Sequence, residues 1–174
     1  MGHVMTMPSW QLNSSSGRES VCWEIRESPL PQRGNALVCD MRLAGEYFGA
    51  TLGGDTSELR DYSLVLRGLA VGVVELERLV AFLRSWLQLP LAEQAQHPLA
   101  LECKVGGLFD QNVFMVIGER ADVLSDGKPV ATFRYITGRL RGELSFVTDQ
   151  RCLRGLCEGI DAALAAYKST THAS

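Results

Sequence analysis

The chain is short of the residues that ordinarily announce chemistry. Its three histidines, His3, His97 and His172, stand far apart, so no HxxH, HExxH or Cys/His cluster offers a metal its closely spaced ligands. No GxSxG turn is present to present a serine as a nucleophile. Gly106 and Gly107 are followed by Leu108, Phe109 and Asp110, not by a lysine and a hydroxyl, which argues against a phosphate-cradling loop. Asp122 and Asp126 flank a loop but lack the spacing and the closing glutamate of a calcium loop. The expectation is a protein with no metal, no cofactor and no catalytic residues.

Other absences bound the setting. No apolar run approaches the roughly 18 to 20 residues that cross a bilayer, so no membrane partner is expected. The first twenty residues lack a basic start followed by an apolar block, so no secretory signal is expected there. Five cysteines (Cys22, Cys39, Cys103, Cys152 and Cys157) are an odd number without a CxxC pair. Set in apolar patterns, they read as reduced thiols in or near the core of a cytoplasmic protein. A thiol nucleophile would need a base beside it, and His97, the one histidine away from the termini, precedes a proline in a connector. Neither an internal repeat nor regular strand–helix alternation is visible.

What is present is amphipathic patterning. Leu76, Leu79, Val80, Leu83, Trp86 and Leu87 recur at steps of three and four, which predicts a helix over residues 75–89 closed by Pro90. A second helix is predicted over 149–167, capped by Thr148 or Asp149, with Leu153, Leu156, Cys157, Ile160, Ala163, Leu164 and Tyr167 on its stripe. Within it, Gly155 and Gly159 either permit a close approach or are merely tolerated. Alternation predicts strands at 21–25, 36–43, 99–105, 129–137 and 140–146, and 113–119 is apolar on both faces, as a central strand would be. Residues 46–52 form a third strand or continue the second past Gly45. Residues 62–74 predict one long strand bent at Gly68, with a hairpin as the alternative. Ser28 to Gly34 and 91–98 read as connectors, and Asp126-Gly127 as a hairpin turn. The fold class expected is α+β, a mostly antiparallel sheet of about six to eight strands with both helices on one face. Residues 1–18 are expected as a loose lead-in, 19–168 as one domain, and 169–174 as a frayed end.

Charge is unevenly placed. The net charge is −3. Residues 1–62 hold eight acids and five bases, and residues 63–174 hold twelve of each. The segment from Gly53 to Asp61 reads as an exposed acidic loop, in which Asp55, Glu58 and Asp61, with Glu46 nearby, would attract a basic partner such as a nucleic-acid-cleaving toxin domain. Arg139, Arg141, Arg151 and Arg154 cluster in sequence, but Glu143, Asp149 and Glu158 are interleaved and no aromatic series accompanies them. Direct nucleic-acid binding is therefore disfavoured.

The first helix, with Leu76, Leu79, Phe82, Leu83, Trp86 and Leu87, is followed by a strand bearing Leu99, Leu101, Cys103 and Val105. Paired strands then lead to a last helix entered through Thr148, Asp149 and Gln150. This order, over residues 62–167, resembles the WapI-like group of bacterial immunity proteins. The resemblance implies a small cytoplasmic protein that binds and blocks a cognate toxin without catalysis of its own, and it transfers no functional residues. The alternative is a domain binding a small molecule or nucleic acid on the open sheet face, through Arg134, Tyr135 and Arg141.

Overall fold

Alternating burial builds the strands in chain order. The computed structural model describes residues 9–26, 36–52, 55–108, 111–138 and 140–172. These form β1 (Ser9–Asn13), β2 (Ser20–Ile25), β3 (Ala36–Leu52), β4 (Asp55–Gly72), α1 (Val73–Leu87), α2 (Leu91–Gln96), β5 (Leu101–Leu108), β6 (Gln111–Gly118), β7 (Val130–Thr137), β8 (Leu140–Val147) and α3 (Gln150–His172). Each strand pairs antiparallel with the next, giving one eight-stranded sheet in sequence order. The α+β class and the antiparallel sheet match the sequence expectation.

One face of this sheet is the core. Trp10 and Leu12 of β1, Val21 and Trp23 of β2, and Leu37, Cys39, Met41 and Leu43 of β3 are buried at a spacing of two, as strand geometry requires. Val113, Met115 and Ile117 repeat the pattern on β6. The sheet curls over itself, so that Trp23 of β2 meets Phe133 of β7 with ring centroids 5.9 Å apart. Its two outer strands meet at one corner. There the Ser15 N–H donates to the Val147 carbonyl at 2.8 Å, and the buried Thr148 hydroxyl donates to the Asn13 carbonyl at 3.0 Å.

The helices lay their stripes on the same core. Leu76, Leu79, Val80 and Leu83 of α1 join Leu153, Leu156, Ile160 and Ala163 of α3 in the cluster that the sheet face forms. Asp149 caps α3 by accepting the Cys152 N–H at 2.8 Å, satisfying one of the orphan donors of the first turn. Gly159 lets α3 approach β1 closely, because a Cβ there would lie 2.8 Å from the Trp10 Cβ. Gly155 faces open space and has no such role. The buried Gln94 of α2 donates to the carbonyls of Trp86, in the last turn of α1, and of Leu89, just beyond it, and accepts from Gln150 of α3.

Several expectations are corrected. The lead-in proposed over 1–18 contains β1, whose Trp10 and Leu12 are core residues. Residues 1–8 lie outside the described structure, as does the expected turn from Ser28 to Gly34. The connector at 91–98 holds α2, a short helix that Gln94 pins in place. The segment 62–74 is one strand that ends at Gly72, with α1 starting at Val73. Its bend at Gly68 is real. Gly68 has φ +70° and donates its N–H to Asp40, opposite a register shift between Cys39 and Met41. Residues 46–52 continue β3. Finally, α3 runs to His172, so 169–172 are helical.

Candidate functional site

The longest hairpin of the chain outgrows its sheet. β3 and β4 pair along nearly their whole length, from Ala36 opposite Gly72 to Leu52 opposite Asp55. β2 covers the other side of β3 only from Cys39 to Ala44. On the other side of β4, among the described residues, β5 pairs at Ala70 opposite Gly107. β5 ends one residue later, at Leu108, and Gln111 already belongs to the next strand. The chain thus turns away beside Leu69, and no described strand pairs with β4 on this side from Asp55 to Leu69. The outer part of the hairpin, 45–52 with 55–62, is a two-stranded ribbon with both backbone edges unpaired among the described residues.

All four residues expected to attract a partner lie on this ribbon. Glu46 is on β3, and Asp55, Glu58 and Asp61 are on β4. The expectation of an acidic loop is corrected, because Asp55 to Asp61 are strand, with Glu58 opposite Gly49 and Asp55 opposite Leu52. The directions of these four side chains lie outside the described structure. The ribbon from Gly45 to Tyr62 carries four carboxylates and one guanidinium, Arg60. That net −3 equals the net charge of the whole chain, so the remainder is balanced. Further along β4, Ser63, Val65 and Arg67 are exposed, Val65 at 38%.

The solvent face of β7 and β8 is occupied by a polar network that the sequence did not single out. Arg120 pairs with Asp122 at 2.6 Å and with Glu143, and donates to Ser145 at 2.7 Å. Thr132, 5% exposed, shares a hydrogen bond with Ser145, and Arg134 donates to Glu143 at 3.2 Å. The Arg120 guanidinium donates to Asp122 and holds that carboxyl below its ordinary range. Arg134, Tyr135 and Arg141 are the residues named for the open-face alternative. Arg134 and Arg141 are exposed as expected, but Arg134 already has its carboxylate. Tyr135 is 1% exposed and its ring lies over Gly142 in the core, which corrects its placement on the open face. Arg139 lies outside the described residues.

The thiols are poor nucleophiles. Burial, reinforced by Asp40, pushes Cys39 up to about 12. Burial, then Glu75 and Glu102, does the same to Cys103. Cys22, Cys152 and Cys157 are also raised, each chiefly by burial, so the thiolate fraction at neutral pH is small. Among the described residues no three His, Cys, Asp or Glu side chains come together to hold a metal, and no helix is long and apolar enough to cross a membrane. A polar groove runs between the β1–β2 turn and the start of α3, lined by Gln11, Asn13, Ser14, Ser16 and Arg151. Ser14 and Ser16 there bond each other and Glu19, so they close the turn.

No family model matches the chain, and neither a curated protein nor a solved structure matches it.

Proposed function

We propose that this is a non-enzymatic immunity protein of the WapI-like kind, which binds a cognate bacterial toxin domain in the cytoplasm and neutralises it. The observation that carries the reading is the β3–β4 ribbon. A net charge equal to that of the whole chain sits on a strand pair that extends past its neighbouring strands. Concentrated charge of one sign raises the rate of encounter with an oppositely charged protein and selects among partners. Glu46, Asp55, Glu58 and Asp61 are the residues assigned to that contact. The element order of residues 62–167 supports the same reading through its resemblance.

The direct test is co-expression with the product of the adjacent gene. The expected result is a stable complex on co-purification and rescue of growth from that product's toxicity. A neighbour that is harmless, or a toxic one that is neither bound nor neutralised, would retire the reading.

A further inference from the structure

The mode of contact can be taken further, resting on the proposal that the chain binds a basic protein. We infer that the free edge of β4, from Asp55 to Leu69, is a strand-addition site for an extended segment of a basic partner. A strand in the middle of a sheet uses both of its backbone edges. Over this length β4 has one neighbour, β3, among the described residues. Among the described residues no strand takes up this row of backbone donors and acceptors, and such a row is a template for another strand. The cause is a mismatch of lengths. β4 has 18 residues and β5 has 8, and the two overlap only where β5 is about to turn back. Val65, 38% exposed, adds an apolar side chain on this part of β4.

The charge decides the occupant. A second copy of the chain would bring another ribbon of net −3 against the first, and like charges along paired strands oppose one another. A basic strand would meet complementary charge along the same edge. An isolated two-stranded ribbon is at best marginally stable in water, so a third strand would also consolidate the ribbon itself.

The test uses the full chain and two synthetic extended peptides of alternating valine and threonine, one ended by lysines and one by glutamates. Hydrogen exchange is followed at the β4 amides from Ser63 to Leu69. In the free chain, alternate amides should exchange fast, since successive residues point to opposite edges. The lysine-ended peptide should slow that fast set roughly tenfold or more, and the glutamate-ended peptide should not. In a variant carrying Asp55→Lys, Glu58→Lys and Asp61→Lys, the preference between the peptides should reverse.

Slow exchange of both sets in the free chain would show the edge already covered, by this chain or a second copy, and would overturn the inference. Equal slowing by both peptides, or by neither, would do the same. These outcomes separate from failure of the immunity reading. A chain that neutralises its toxin while the edge stays unprotected loses the strand-addition inference and keeps its function.

Discussion

The packed body and the β3–β4 ribbon follow opposite rules. In the body, most strands show a buried face at a spacing of two, two helices cover that face, and several charges are paired. Arg120 takes Asp122 and Glu143, Arg26 takes Asp40, and Lys168 reaches Glu77 at 3.5 Å. The ribbon runs beyond β2 and β5 and carries a net charge of −3 in its sequence. The difference separates folding from recognition. Residues that fill the body should report on stability alone, and residues of the ribbon should report on binding alone.

The sharpest test of the body is Trp23. It stacks on Trp10, meets Phe133, and its buried indole N–H donates to the Val105 carbonyl at 3.1 Å. That bond ties β2 to β5 across the core, beside the register shift between Lys104 and Gly106. Trp23→Ala should cost about 3 to 5 kcal/mol in denaturant unfolding. Trp23→Phe keeps most of the apolar contact but strands the carbonyl, and should cost about 1 to 3 kcal/mol.

Overpacking gives a smaller effect. A Cβ at Gly142 would enter the ring of Tyr135, which is 1% exposed and has no solvent to swing into. Gly142→Ala should therefore lose about 1 to 3 kcal/mol, read as a lower denaturation midpoint at unchanged slope.

The cap of α3 has a pH signature. The Cys152 N–H that donates to Asp149 holds this carboxyl below its ordinary range. A depressed folded value means that stability is fully present above the unfolded value, about 3.9. It is lost as pH falls through the folded one. Asp149→Ala should cost about 1 kcal/mol near neutral pH, and its gap from the wild type should close on acidification. A gap that widened toward low pH would contradict the cap assignment.

The fold was legible where the pattern was long. The stripe of α1, the apolar run of β6 and the alternation of β8 announced themselves, and Asp126-Gly127 does form a turn, with φ 51° and 81°, but within the long connection from β6 to β7 and not as a tight hairpin. β1 was hidden because five residues amid serines show only two apolar positions, Trp10 and Leu12, and their burial is set by α3 and β2. Asp55 to Asp61 hid for a different reason. Their strand identity comes from pairing with β3, and a polar stretch with Leu59 as its one apolar residue carries no period of its own. Tyr135 was placed outward together with its neighbour Arg134, whereas the alternation of a strand sets the two on opposite faces, and Tyr135 falls with Phe133 on the inner one. Arg120 left no sequence signal at all. Its partners Glu143 and Ser145 are brought to it by the pairing of β7 with β8 and by the loop after β6.

Smallest in stability and largest in function should be the variant carrying Asp55→Lys, Glu58→Lys and Asp61→Lys. Its unfolding free energy should stay within about 0.5 kcal/mol of the wild type, as for surface changes that touch no core feature. One measurement puts the central claim at risk: growth rescue from the toxin by this variant, read beside its thermal midpoint. The account predicts an unchanged midpoint with rescue lost. A lowered midpoint with rescue intact would mean that the ribbon serves the fold and that recognition lies elsewhere.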